Sequence, residues 1–174
     1  MLSVGLIQPN FQTGPKHLNS FYLPYTVGLL WSYVTQDSII KDNYSLYDML
    51  FRRDNIQNAV DHYKNCDVLF VSFYIWSSQY CFQFCKQIKQ ANPDIKIIAG
   101  GPDLDWRDKQ FFNKHSYIDF IVVGEGEEAC KEILHDILNN NCNKQIYTAP
   151  RLKDLDLPSP YLNGIFDKLM SKHT

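Results

Sequence analysis

Two short apolar runs in this 174-residue chain stop abruptly on glycine. One runs from Lys96 through Ala99 into Gly100-Gly101-Pro102, and the other is Phe120-Ile121-Val122-Val123 closed by Gly124-Glu125-Gly126-Glu127. Glycine at the end of a strand lets the backbone turn with positive φ, or approach a ligand closer than any Cβ would allow. Ligands of open α/β sheets sit outside the carboxyl ends of the strands. Two glycine-ended strands in succession therefore predict one floor beneath one bound molecule. Either turn alone is explained as well by a tight strand-to-helix connection, so the pair carries the expectation.

The elements that must position these turns alternate strand and helix. Val4-Gly-Leu-Ile7 starts the sheet almost at the first residue. The connection from Pro9-Asn-Phe-Gln-Thr-Gly-Pro15 to Leu23 is about fifteen residues long, against the usual two to six, a length that points to function or disorder. Pro24 suits a first helical turn, and Val27, Leu30, Trp31 and Val34 follow at helical spacing. Tyr44 to Leu50 reads as a second strand, and Ile56, Val60 and Tyr63 mark the next helix. Val68-Leu-Phe-Val71 continues into Ser72-Phe73-Tyr74-Ile75-Trp76, as a central strand buried on both faces would. Ser77 or Ser78 caps a helix that Asn92-Pro93 stops. A short helix from about Asp103 to Lys114 separates the two glycine-ended strands, and Ala129, Cys130, Ile133, Leu134, Ile137 and Leu138 line a last long one. The pattern predicts an α/β fold: a doubly wound, mainly parallel five-stranded sheet, Rossmann-like or flavodoxin-like, of order 2-1-3-4-5 with helices on both faces. Its switch point falls between strands one and three, on the same rim as the glycine turns.

Several chemistries fit this frame poorly. Gly124-Glu-Gly-Glu-Glu-Ala129 matches the dinucleotide pattern G-x-G-x-x-G/A, but on the fifth strand, with little chain left for the acidic residue that should follow. Three carboxylates at a helix start also repel a pyrophosphate. Ser72 stands where a phosphoacceptor domain keeps its aspartate, and no acidic pair follows strand one. There is no P-loop, nucleophile elbow or His-Glu zinc motif.

Composition narrows the partners. Seventeen basic against nineteen acidic residues leave a net charge of -2, with no electrostatic footprint for nucleic acid and no basic cluster for a membrane surface. With 45% hydrophobic and 14% aromatic residues the chain is expected to be globular. No apolar run approaches the ~18 residues of a spanning helix, and Met1-Leu2-Ser3 opens straight into strand-like sequence; a cytoplasmic protein is expected. Five cysteines, Cys66, Cys81, Cys85, Cys130 and Cys142, fit no disulfide or zinc framework, which suits a reducing compartment. Cys81 and Cys85 lie four apart, as two ligands of a metal on one helix face would, yet with Phe84 and Ile88 they complete an apolar stripe, and the core reading is preferred.

Taken together, Ser72-Phe-Tyr-Ile-Trp76, Ile97-Ile-Ala-Gly-Gly-Pro102, Ile118-Asp-Phe-Ile-Val-Val-Gly-Glu-Gly-Glu127 and Leu155-Asp-Leu-Pro-Ser-Pro160 resemble the N-terminal cobalamin (vitamin B12)-binding domain of cobalamin-dependent radical S-adenosylmethionine enzymes. The resemblance covers nearly the whole chain in the family's order. It implies a corrin across the carboxyl rim of the sheet, with the nucleotide tail in a slot beside the central strands. Ser72, Phe73, Tyr74, Trp76, Gly100, Gly101, Pro102, Gly124, Glu125 and Gly126 are the implied cofactor-binding residues. Gly100 and Gly101 would leave room for the tail, Ser72 would offer it a hydroxyl, and Tyr74 and Trp76 would wall the corrin. Those two rings are explained as well by packing onto the next helix.

Two departures shape the expectation. Domains that ligate cobalt through histidine carry D-x-H-x-x-G after strand one, and alignment on Gly14 puts Pro9 and Phe11 at its aspartate and histidine. No histidine of this loop is therefore expected on cobalt; nearby His17 reads as a solvated residue. The family also continues into a barrel with a C-x-x-x-C-x-x-C cluster site, whereas this sequence ends at Thr174 without that triplet. Residues 1–148 are expected to form the cobalamin-binding domain, and 149–174 a linker with a short amphipathic helix from Tyr161 to Met170, leading to a missing core that would hold the iron-sulfur cluster and S-adenosylmethionine. The helix's apolar stripe, Leu162, Ile165, Phe166, Leu169 and Met170, would need a partner. The expected function is the cobalamin-binding module of a radical S-adenosylmethionine enzyme, for methyl transfer or radical rearrangement, partnered by its core domain or subunit and not catalytic alone. The alternatives are a cofactor-free α/β interaction domain and a flavodoxin-like binder of another ligand.

Overall fold

Strand β1 (Leu2–Asn10) begins at the second residue and is buried from Val4 onward. The computed structural model describes residues 1–15, 20–154 and 156–171. After β1 come a two-stranded antiparallel ribbon, β2 (Gln12–Thr13) and β3 (Ser20–Phe21), then helices α1 (Tyr25–Val34) and α2 (Ser38–Asn43). Strands β4 (Tyr44–Arg52), β5 (Val68–Ser72), β6 (Lys96–Gly100), β7 (Phe120–Val123) and β8 (Ile146–Thr148) complete the main sheet. Between them lie α3 (Ile56–Tyr63), α4 (Ser78–Ala91), α5 (Phe111–Lys114) and α6 (Glu127–Leu138), and α7 (Asp167–Ser171) follows.

The main sheet has the order β4-β1-β5-β6-β7-β8, with every pairing parallel. Counted by strands of this sheet the order is 2-1-3-4-5 with a sixth strand added at one edge. The fold class is thus the expected doubly wound α/β one, and β8 is the addition. It is three residues long with only Tyr147 buried, too short for an alternation to register.

Strand alternation divides the core in two. Leu69 and Val71 of β5 face α3 and α4, while Val68 and Phe70 face α1 and α6. Cys81, Phe84, Cys85 and Ile88 are all fully buried on the first side, so the two cysteines belong to the core as expected. Burial pushes the Cys81 thiol up to about 12 and the Cys85 thiol well above its ordinary value, which keeps both protonated. Among the described residues no group of three or more His, Cys, Asp or Glu side chains could hold a metal ion, and no helix is long and apolar enough to cross a membrane.

Three local expectations change. The helix expected from about Asp103 shrinks to the single turn α5, because the preceding stretch folds as turns. Asp108 accepts from the Gln110 N–H there, the local bonding by which short acidic side chains compete with a helix. The helix expected over Tyr161 to Met170 is reduced to α7, since Gly164 sits at φ 70 and breaks it. Helix α2 has no counterpart among the elements expected from the sequence; Asp37 caps it, accepting from the N–H groups of Ile39 and Ile40.

Candidate functional site: a cleft over the central strands

The carboxyl ends of β5, β6 and β7 form the floor of a cleft of about 470 Å³, walled on one side by α1 and on the other by the turn into α6. Ser72 and Tyr74 after β5, Gly100, Gly101 and Pro102 after β6, and Gly124, Glu125 and Gly126 after β7 all line it. Eight of the ten expected residues are thus brought to one place.

Four glycines at this site play different parts. At Gly100 a Cβ would make only ordinary contact with Val122, at 3.7 Å, so a side chain there would stand in the cleft. At Gly101 φ is +115° and a Cβ would lie 2.4 Å from the carbonyl oxygen of Phe73, so this glycine lets two backbones meet. The Phe73 N–H donates to the Gly100 carbonyl at 2.7 Å and the Phe73 carbonyl accepts from Asp103 N–H, locking the β5 and β6 ends together. The room expected from both glycines is therefore supplied by Gly100. Gly124, at φ +84°, has nothing within 4 Å of where a Cβ would stand, whereas at Gly126 a Cβ would press Leu30 of α1 at 2.9 Å.

Phe73 and Trp76 do not line the cleft. Phe73 is fully buried on the opposite side of the sheet, its ring 4.7 Å from that of Phe82. Trp76 is 39% exposed on the rim and stacks on Tyr74 at 4.7 Å, nearly parallel. Its ring also meets the edge of Phe11, which in turn meets Tyr22. The Tyr74 hydroxyl shares a hydrogen bond of 2.9 Å with Thr26, so this aromatic row is pinned to α1. Ser77 and Ser78, expected as caps, donate their hydroxyls to the Tyr74 carbonyl instead and fix the turn that presents Tyr74 and Trp76.

The polar end of β1 holds the α1 wall over the sheet. Gln8 accepts from the Val27 N–H, and Asn10 donates to the Tyr22 carbonyl at 3.0 Å. Both side chains are buried, which explains two polar residues at the end of an interior strand. Pro9 lies in β1 and Phe11 follows it on the rim. His17 lies outside the described residues.

The carboxylates of the β7–α6 turn divide. Glu128 is paired with Lys131, then with the Tyr33 hydroxyl, and is held below the usual carboxylate range by them in that order. Burial and this neighbour push the Tyr33 phenol up to about 12. Glu125 turns to residues that follow β8: it accepts from Leu152 N–H at 3.0 Å and pairs with Arg151. Glu127 lines the cleft as well, with one oxygen buried and without a hydrogen-bond partner among the described residues.

Leu104, Trp106, Thr26 and Leu30 also line the cleft, beyond the residues expected from the sequence. Trp106 had a signal: a tryptophan in the polar run Asp105-Trp-Arg-Asp108 has no apolar neighbours to bury it. Thr26 and Leu30 had none, because which turn of α1 overhangs the floor is set by Gln8 and Asn10 from another element.

The family model described as the B12 binding domain matches residues 38–134. The chain is 34% identical over 170 residues to the cobalamin-dependent radical SAM methyltransferase TokK of Streptomyces tokunonensis, an alignment covering 86% of this chain and 24% of that protein. It is 31% identical over 165 residues to 2-(S-pantetheinyl)-carbapenam-3-carboxylate methyltransferase of Streptantibioticus cattleyicolor, covering 84% of this chain and 24% of the relative. The chain thus spans about a quarter of the length of the curated relatives it matches.

Proposed function

The chain belongs to the B12-binding domain family, and on that premise we propose that it holds cobalamin with the nucleotide tail in the cleft over β5, β6 and β7 and the corrin across the aromatic rim. One observation carries this reading: Gly100 lines the cleft and a Cβ there would make only ordinary contact with Val122, whereas Gly101 lies against the Phe73 backbone and Gly126 against the Leu30 side chain. The cleft's volume of about 470 Å³ falls within the roughly 300–1,000 Å³ of small-molecule sites, and its lining is mainly apolar with a few polar groups, as such sites are.

Each residue then has a task. The Ser72 hydroxyl, nearly buried at the floor, binds a polar group of the tail. Gly100 and Gly124 leave the approach clear, Gly101 and Pro102 shape the turn, and Gly126 brings α6 against α1 to close the far wall. Phe73 acts through its backbone, joining the ends of β5 and β6. Tyr74, pinned by Thr26, and Trp76, stacked on it, present flat apolar surface to the corrin and exclude water from that side. Glu125 sets the turn that borders the cleft. When bound, cobalamin supplies a cobalt centre able to carry a methyl group or take part in redox chemistry.

For the whole protein we propose methyl transfer, with radical rearrangement as the other outcome of such chemistry. The names and identities of the two relatives support it. Residues 1–148 form the cofactor domain in this reading, and 149–174 connect it to a radical S-adenosylmethionine core domain or subunit that holds the iron-sulfur cluster and S-adenosylmethionine. The unpaired cysteines support a reducing, cytoplasmic setting. The test is to mix the purified chain with hydroxocobalamin, desalt it and record the visible spectrum. Retained corrinoid absorbance is expected; a colourless protein, or preferential retention of flavin, would overturn the reading.

A further inference from the structure

The two walls of the cleft are both touched by residues that follow the sheet. On the α6 side, Glu125 accepts from the Leu152 N–H at 3.0 Å and meets the Arg151 side chain at 3.4 Å. Arg151 is 92% exposed, so solvent screens its ion pair, and the backbone N–H donating to a carboxylate is the firmer tie. Gly124, next to Glu125, has no neighbour around its Cβ position, so the turn gains little hold from packing at that point. On the α1 side, Phe166 is fully buried against Gly28, where a Cβ would stand 2.5 Å from its ring. The Tyr161 ring lies 6.0 Å from that of Tyr25, at the start of the same helix.

We infer that Glu125 is a positioning residue that latches Arg151 and Leu152 to the rim of the cleft, so that filling the cleft and fixing the path of the chain beyond β8 are one coupled event. This rests on the cofactor reading above and adds its regulation. A molecule bound between α1 and the β7–α6 turn orders the turn, and the turn orders what Glu125 holds. By reciprocity, loosening the latch weakens binding by the same factor. Phe166, with Ile165 and Leu169 beside it, packs into the core on the α1 side of this domain, whereas Leu162 and Met170 stay exposed.

Hydrogen exchange of the 174-residue chain, with and without hydroxocobalamin, tests the coupling, while the visible spectrum of the same samples reports retained corrinoid. Loading is expected to slow exchange across residues 151–154 by about fivefold or more, the lower end of ordinary site-to-site coupling. Glu125→Ala should abolish that slowing and weaken retention by a similar factor. Glu125→Gln, which keeps an acceptor for the Leu152 N–H, should restore most of both. Corrinoid retained by the wild type with exchange at 151–154 unchanged would overturn the latch and leave the cofactor reading standing. No retention by the wild type would sink both.

Discussion

The two glycine turns that border the cleft look alike in sequence and are held in opposite ways. The turn after β6 is fixed by backbone: Gly101 lies against Phe73, and Phe73 bonds to Gly100 and to Asp103. The turn after β7 is fixed by a side chain, because Gly124 has open space around it and Glu125 reaches to Leu152 and Arg151. The first is built into the central sheet and moves only with it. The second depends on chain that follows the sheet, and so can respond to what that chain does. A glycine motif therefore marks where a floor is, without saying whether its edge is rigid.

The largest effect is expected where that difference is sharpest. Gly101→Ala would force a Cβ to within 2.4 Å of a backbone carbonyl at positive φ, and should cost about 3 kcal/mol or more in urea denaturation. Gly124→Ala carries only the conformational strain, about 1–2 kcal/mol. Equal losses at the two sites would break the distinction between the turns. Gly126→Ala, which presses the flexible end of Leu30, should cost about 1 kcal/mol, at the low end of overpacking, and should pull α1 and α6 apart enough to weaken corrinoid retention.

A control lies at the far end of α6. Asp37 caps α2 and bonds His135, and its carboxyl is held below the ordinary value by the His135 hydrogen bond first and the Ile40 N–H next. A lowered folded value means that the unfolded chain takes up the proton first. Stability from this group is full above the ordinary carboxylate range, and is lost as pH falls below about 4 and through the lowered folded value. Asp37→Ala should cost about 1 kcal/mol at neutral pH, flatten the acid end of the stability profile, and leave corrinoid retention unchanged. A loss of retention would mean that the cleft senses the whole of α6.

The sequence made the floor legible because β5, β6 and β7 are apolar runs that stop abruptly, and their alternation with helices left one topology. It could not show which glycine of each pair faces a ligand. That depends on where Phe73 and Leu30 arrive from other elements. The same limit hid the α1 wall, whose position is set by Gln8 and Asn10. Adjacency groups Phe73 with Ser72 and Tyr74, but strand alternation turns its ring to the other core. β8 escaped because its single buried residue, Tyr147, is anchored by a hydroxyl donating to Asp136 on α6, a contact with no local pattern.

The most direct test of the account is Gly100→Val. Its added methyl groups enter the cleft beside Val122 without meeting backbone strain, so the fold should survive within about 1 kcal/mol while overpacking of the bound tail lowers hydroxocobalamin affinity by roughly 10- to 100-fold in an equilibrium titration. A folded Gly100→Val chain that binds hydroxocobalamin as tightly as the wild type would contradict the placement of the cofactor in this cleft.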